Sequence, residues 1–145
     1  MIAIGCDHAG VELKDEVINF LREKNIEVTD CGIKSGEKCD YPDMAEKVCG
    51  MITSGEAEKG ILICGTGIGM SMAANKIKGI RAAVCTEHFS AKYTRLHNDA
   101  NVLCMGARVV GPGLAIELAD IFVSTEFEGG RHQRRVDLIS KLEEK

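Results

Sequence analysis

The middle of the chain reads Gly60-Ile61-Leu62-Ile63-Cys64-Gly65-Thr66-Gly67-Ile68-Gly69. A short apolar run is followed at once by three alternating glycines, and apolar residues with helical spacing come next. Glycines permit positive φ and a close approach of backbone N–H groups, and a helix N-terminus attracts anions. The stretch therefore predicts a buried strand, a turn that binds an anion and a helix beginning near residue 68. A turn that is merely tight is the alternative.

The same alternation of strand and helix extends in both directions from this stretch. Short apolar runs predict strands at Ile2–Cys6, Glu27–Cys31, Gly60–Cys64, Ile80–Cys85 and Asn101–Met105. Apolar residues with helical spacing predict helices around residues 11–21 and 44–52, from about 68 to 77, from 87 to about 97, and over 112–123. Such alternation indicates βαβ units and a parallel sheet covered on both faces.

A last helix is predicted from about Arg131 to Glu144, after Gly129-Gly130. Because no strand follows it, we expect it to leave the core layers and to pack on a neighbouring subunit.

Length and composition limit the class of protein. The 145 residues fit a single domain, residues 1–145, and the net charge of −4 disfavours nucleic acid as a partner. No run approaches the ~20 apolar residues of a membrane span, and the sequence from Met1 onward leads us to expect no signal peptide. The seven cysteines are odd in number and lack zinc or redox spacing. We therefore expect a cytoplasmic protein with free thiols.

Four known uses of a glycine-rich turn each require a residue that this turn lacks. In a dinucleotide fingerprint the third glycine would stand where Met70 does. A P-loop would need a lysine before Ser71, and a cysteine phosphatase would need an arginine at position 70. A receiver domain would need an aspartate in place of Cys64. These four functions are therefore disfavoured.

What remains is a turn that holds an anionic intermediate, with Cys64 and Thr66 at its mouth. A helix N-terminus favours a thiolate, and the Thr66 hydroxyl can pass a proton to or from a sugar oxygen. The N–H groups of residues 67–69 would stabilise an enediolate as its charge develops. The alternative is that Cys64 is only the last buried residue of its strand.

Other polar residues are candidates for substrate contacts. Asp7-His8 ends the first strand, where His8 could contact phosphate and Asp7 a sugar hydroxyl, unless Asp7 caps the first helix. Tyr41 could line a pocket or simply begin a helix. His97, near a helix C-terminus, suits a general acid that opens a sugar ring. The best phosphate ligands are Arg108, Arg131, His132 and Arg135.

The chain resembles the ribose-5-phosphate isomerase B family, which includes galactose-6-phosphate and allose-6-phosphate isomerases. The matching segments run in order over almost the whole chain. They are Gly5-Cys6-Asp7-His8, Asp40-Tyr41-Pro42, Ile63–Gly69, Ala73-Ala74-Asn75-Lys76, Gly79-Ile80-Arg81-Ala82, His97-Asn98-Asp99, Gly106-Ala107-Arg108 and Gly129-Gly130-Arg131-His132.

This resemblance implies a fold, an activity and a partner. The fold is a three-layer α/β/α Rossmann-like domain with a five-stranded parallel sheet in the order 2-1-3-5-4. The activity is aldose–ketose isomerisation, of D-ribose 5-phosphate to D-ribulose 5-phosphate in the pentose phosphate pathway, without metal or cofactor. The partner is a second copy, in a homodimer with shared active sites, and a tetramer is the larger alternative.

The resemblance also implies roles for individual residues. Catalysis would use Cys64 as the base, Thr66 as its assistant and His97 for ring opening. Sugar contacts would come from Asp7, His8, Tyr41, Gly65, Gly67, Ile68, Gly69 and Asn98. Phosphate would be bound by His8, Arg108, Arg131 and Arg135. Two alternatives stay open: a six-carbon aldose phosphate as substrate, and a non-catalytic module that binds phosphosugars.

Overall fold

The predicted strands form one parallel sheet in the computed structural model, which describes residues 1–145. The strand order is β2-β1-β3-β5-β4, which confirms the α/β class and the order that the resemblance implies. The strands are β1 (Ile2–Cys6), β2 (Val28–Asp30), β3 (Lys59–Cys64), β4 (Ala82–Val84) and β5 (Val102–Gly106). The helices are α1 (Val11–Glu23), α2 (Tyr41–Thr53), α3 (Ile68–Ala74), α4 (His88–Asn98), α5 (Pro112–Ser124) and α6 (Arg131–Leu142).

The sheet is buried on both faces because successive strand residues point to opposite sides. Ile4 and Ile61 belong to a core shared with α1, α4 and α5. Ala3 and Leu62 belong to a second core shared with α2 and α3. Continuously apolar strands are what this arrangement requires, and they are what made the strands visible in the sequence.

Strand β4 is shorter than predicted because side chains take up the backbone groups on its amino side. The N–H of Arg81 donates to Asn101 Oδ1 at 2.8 Å, and the N–H of Ala82 donates to Asn75 Oδ1 at 2.8 Å. The Asn75 amide also donates to the carbonyl of Ala82 at 2.9 Å. The same asparagine follows the last residue of α3, which ends at Ala74 rather than near residue 77.

Helix α6 lies outside the two core layers and packs against α4. It buries only His132 and Val136, and the Gly79 N–H donates to Glu143 at 3.0 Å near its end. Leu142 keeps 61% of its surface exposed, and Leu138 and Ile139 are exposed as well. Helix α6 thus has some contacts within its own chain, and its packing on a neighbouring subunit stays a prediction.

Helix α2 approaches the sheet closely because a glycine faces it. A Cβ atom on Gly60 of β3 would lie 2.8 Å from Val48 Cγ1 and 3.0 Å from Ile52 Cδ1. Both distances are shorter than ordinary van der Waals contact. The position of α2 therefore depends on the missing side chain at residue 60.

We expect Gly60→Ala to lower the free energy of unfolding by about 1–3 kcal/mol, because the new methyl group overpacks the core. Gly50→Ala is the matched control. Gly50 lies in α2 itself, the helix that Gly60 faces, and has open space around it, so alanine there should raise stability by about 0.5–1 kcal/mol. Urea denaturation of both variants measures the two effects. An undiminished midpoint for Gly60→Ala would show that α2 shifts away without cost.

Candidate active site

The glycine-rich turn joins β3 to α3 at the carboxyl edge of the sheet. Gly67 has a φ of +79°, in the left-handed region that favours glycine. The Gly67 N–H donates to Cys64 Sγ at 3.1 Å, and the Ile68 N–H donates to Thr66 Oγ1 at 3.2 Å. The turn therefore holds both of its reactive side chains by its own backbone amides.

The turn is also packed tightly against the end of β5. A Cβ atom on Gly106 would lie 2.6 Å from the Thr66 backbone, and one on Gly67 would lie 2.9 Å from the Met105 backbone. The Ala107 N–H donates to the Cys64 carbonyl at 2.8 Å. The position of Cys64 and Thr66 is thus fixed by backbone contacts on both sides.

Several of the sequence-predicted residues surround this turn. Arg108 lies over Gly65, because a Cβ on that glycine would be 3.3 Å from Arg108 Nη1. The Tyr41 ring lies over Gly69, where a Cβ would be 2.8 Å from Tyr41 Cζ. Tyr41 also begins α2, and its role in lining a substrate pocket stays a prediction.

Asp7 follows β1 at the same edge and is buried. Its carboxylate accepts a hydrogen bond from the Ala9 N–H at 2.9 Å, and the N-cap of α1 is Gly10, without a side-chain cap. Asp7 therefore does not cap the helix itself. His8 beside it is exposed and lines a cavity of 300 Å³ with Glu12 and Ser35.

Among the remaining cysteines, Cys6, Cys49, Cys85 and Cys104 are buried in the core. Burial raises the pKa of Cys6 to about 12, of Cys49 to about 12 and of Cys85 to about 11. Burial also raises the pKa of Cys104 well above its ordinary value. These thiols stay protonated near neutral pH and pack as small hydrophobes. Cys64 differs from them in lying against the turn.

His97 and Asn98 lie at the opposite edge of the sheet. Helix α4 runs back across the sheet, and the Gly60 N–H at the start of β3 donates to the carbonyl of Asn101 at 2.8 Å. A strand of five residues such as β5 spans about 17 Å. Within one protomer, the structure therefore does not bring His97 to Cys64.

An ionic network fixes the end of α4. Asp99 has a φ of +46° and accepts from Arg95 Nη1 at 2.9 Å and from Arg81 Nη2 at 3.1 Å. Arg95 is buried and also donates to the carbonyl of Ala100 at 2.6 Å. This network holds the turn that presents His97 and Asn98.

The start of α6 lies beside His97. Arg131 and Arg135 are exposed and four residues apart, so they share one face of the helix. His132, which the sequence grouped with the phosphate ligands, is instead buried against His97 with ring centroids 4.0 Å apart. Next to them is Glu128, which the sequence analysis missed because it stands in a loop without any motif of its own.

A cavity of 620 Å³ lies at this amino edge, lined by Arg81, Asn98 and Leu142 among others. The polar residues implied for one site thus fall into two groups, one at each edge. We name them the thiol half-site (Asp7, His8, Tyr41, Cys64–Gly69 and Arg108) and the histidine half-site (His97, Asn98, Arg131 and Arg135).

His97, Glu128 and His132 are the one group whose ligand atoms lie close enough together to hold a metal ion, within 4.8 Å of one another. The two imidazole planes are stacked at 12°. Chelation requires each ring to point its nitrogen at one common centre, so this geometry does not fit a metal well.

No helix of this structure has both the length and the apolar character needed to cross a membrane.

The chain is similar to known proteins along almost its whole length. A family model described as Ribose/Galactose Isomerase matches residues 2–139. Ribose-5-phosphate isomerase B of Escherichia coli is 51% identical over 144 residues, covering 99% of this chain and 97% of the relative. D-erythrulose-4-phosphate isomerase of Pectobacterium atrosepticum is 44% identical, covering 98% and 94%.

Solved structures agree with this result. Ribose-5-phosphate isomerase B of Clostridium thermocellum superposes with a TM-score of 0.96 at 50% identity, covering 99% of this chain and 97% of the other. The enzyme of Mycoplasma genitalium with bound ribulose-5-phosphate has a TM-score of 0.93 at 42% identity, covering 99% and 96%. The resemblance read from the sequence motifs is confirmed.

We expect Gly106→Ala to lower turnover by about 100-fold, because its methyl group would displace Thr66 and the catalytic geometry tolerates little movement. Gly111→Ala is the control, since a Cβ there meets nothing within 4 Å. Steady-state kinetics on both variants, with circular dichroism to verify folding, measure the effect. Normal turnover by a folded Gly106→Ala protein would contradict the proposed tight coupling of turn and strand.

Proposed function

The chain belongs to the ribose/galactose isomerase family, and we propose that it interconverts D-ribose 5-phosphate and D-ribulose 5-phosphate. The observation that carries this proposal is the Cys64 sulfur, held by the Gly67 amide at the mouth of the turn beside the exposed Thr66 hydroxyl. The names of several relatives support the substrate. The reaction would belong to the pentose phosphate pathway, in the cytoplasm.

In the proposed mechanism the Cys64 thiolate removes the proton from C2 of the open-chain aldose. The electron pair of that bond moves toward the carbonyl, and an enediolate forms with its negative charge on O1. The amides of residues 67–69 stabilise this charge as it develops. Cys64 then returns the proton to C1, while Thr66 relays the hydroxyl proton from O2 to O1. The net result is transfer of one proton from carbon to carbon and one from oxygen to oxygen.

The Gly67 amide positions the thiol for this role. Its N–H is directed at the Cys64 sulfur at 3.1 Å, and the Arg108 guanidinium lies over the next residue, Gly65. By contrast, Cys49 and Cys104 lie inside the core, where burial raises their pKa.

Substrate binding uses residues from both half-sites. Asp7 and Asn98 would bind sugar hydroxyls, and Tyr41 and Ile68 would line the pocket. His8, Arg108, Arg131 and Arg135 would bind the phosphate, for which paired guanidinium groups are well suited. His97 would protonate the ring oxygen of the furanose so that the ring opens.

We assign the two half-sites of one active site to different protomers. Within one chain the two half-sites lie at opposite ends of the strands. A symmetric dimer can place one edge of the sheet against the opposite edge of its partner. Exposed apolar side chains on α3, α4 and α6 (Met72, Phe89, Leu138, Ile139 and Leu142) offer a surface for such a contact. A homodimer is therefore proposed, with a tetramer as the larger alternative.

Six-carbon aldose phosphates are the second candidate substrate, because they differ by one carbon and its hydroxyl. A non-catalytic module that binds phosphosugars is the alternative from another class. Such a module would not need the amide-held thiol of Cys64, which favours an enzyme.

The purified protein should convert ribose 5-phosphate to ribulose 5-phosphate in the presence of excess EDTA, because the mechanism uses no metal. Turnover of allose 6-phosphate in the same buffer measures the preference for five carbons. Cys64→Ala should lower turnover by about 100-fold or more while substrate binding is kept, since a positioned base contributes that much. Unchanged turnover in this variant would remove Cys64 as the base. No turnover of either sugar by the wild-type protein would favour the binding module.

Mixed dimers test the shared site. Cys64→Ala and His97→Asn proteins should each be nearly inactive, and refolding them together in equal amounts should restore about a quarter of wild-type activity. Half of the dimers are then hybrids, and one of the two sites in each hybrid has both residues intact. A mixture that stays inactive would show that one protomer supplies both residues to each site.

A further inference from the structure

His97 is enclosed by aromatic rings in this structure. The His132 ring is stacked on it, with centroids 4.0 Å apart and planes at 12°. The Tyr93 ring meets it edge-on at 4.9 Å and 76°, and Phe89 is stacked on Tyr93 at 4.2 Å. Because His132 is only 6% exposed, its ring cannot rotate freely. The orientation of His97 is thus set by a buried neighbour on α6.

One carboxylate oxygen of Glu128 lies near both imidazole rings. Its Oε2 lies 3.6 Å from His97 Nε2 and 3.7 Å from His132 Nε2. The backbone of the same residue is fixed to α4, since its N–H donates to the carbonyl of Leu96 at 3.1 Å. A carboxylate at this distance favours a protonated imidazole.

The surroundings of His132 act on its protonation. Burial lowers the pKa of His132, and so do His97, Arg131 and Arg135, while Glu128 acts in the opposite direction. Two adjacent imidazolium cations would repel each other, so a charge on one ring disfavours a charge on the other. His132 is the ring that this environment keeps neutral.

We propose that His132 and Glu128 are positioning residues for His97: His132 fixes the ring plane by stacking, and Glu128 places its negative charge beside the His97 imidazole. This inference rests on the proposed function, in which His97 opens the furanose ring. No other cluster of titratable side chains in the chain combines two imidazoles with a shared carboxylate.

The chemical step that depends on this arrangement is acid-assisted ring opening. The His97 imidazolium gives its proton to the ring oxygen O4, and the C1–O4 bond breaks with its electron pair going to O4. The C1 hydroxyl loses its proton to water, and its electrons form the aldehyde carbonyl. His97 regains a proton from solvent before the next turnover.

The experiment compares a sugar that needs this step with one that does not. Ribose 5-phosphate forms a furanose ring. D-erythrose 4-phosphate cannot, because the hydroxyl that would close the ring carries the phosphate. His132→Asn should lower kcat for ribose 5-phosphate by about 10-fold with little change in KM, and should leave kcat for erythrose 4-phosphate nearly unaltered. His88→Asn, at an exposed position at the start of α4, is the matched control.

The pH profile gives a second measurement that needs ribose 5-phosphate alone. A general acid must carry its proton, so kcat/KM falls as pH rises past its deprotonation. Glu128→Gln keeps the size of the side chain and removes the charge, so this alkaline limb should move to lower pH by about half a unit. Because Glu128 is exposed, this variant should fold even if His132→Asn does not.

The outcomes separate the inference from the proposed function. An equal loss with both sugars, or an alkaline limb that does not move in Glu128→Gln, would overturn the positioning role while the wild-type enzyme still isomerises ribose 5-phosphate. A wild-type protein without activity on ribose 5-phosphate at any pH would instead overturn the proposed function.

Discussion

The whole arrangement depends on the backbone contact between the glycine-rich turn and the end of strand β5. Gly67 and Gly106 leave no room for a Cβ atom, because a Cβ on either would lie less than 3 Å from main-chain atoms of the other segment. A main chain cannot move aside as a side chain can, so the turn has one position. That position presents the Gly67 N–H to the Cys64 sulfur and leaves the Thr66 hydroxyl exposed. The catalytic candidates are therefore held by packing of the core rather than by a flexible loop.

The parallel topology has a further consequence for the site. Every βα connection lies at the carboxyl edge of the sheet. Each helix between two strands then returns the chain to the amino edge. Cys64 is the last residue of a strand and His97 lies in the last turn of a helix, so the two do not meet within one protomer. Any chemistry that uses both must recruit a second copy. The exposed apolar surface of α6, together with its arginines, lies at the edge where such a copy would have to contribute.

Sequence periodicity was enough to predict the strands, the helices and their parallel arrangement, because strands buried on both faces are continuously apolar. It failed at the ends of elements, where side-chain hydrogen bonds to the backbone set the boundary. Asn75 and Asn101 bind backbone groups before β4, and no hydrophobic pattern reports such bonds. The thiol half-site was also predictable, since the rule on carboxyl edges places Asp7, Cys64 and Arg108 together. The strand order came from the family resemblance, because local patterns do not contain it.

The histidine half-site shows why a residue type alone is a poor guide. His132 stands between arginines on a basic helix, and its neighbours suggested a phosphate ligand. The fold turns it inward instead, against the ring of His97, while Arg131 and Arg135 face outward. Glu128 precedes the Gly129-Gly130 pair, where positive φ angles turn the chain into α6, and its backbone bond to Leu96 returns the carboxylate to α4. His97 forms one unit with Glu128 and His132 only because α6 folds back on α4, so the proposed acid is in contact with the same helix that carries the proposed phosphate ligands.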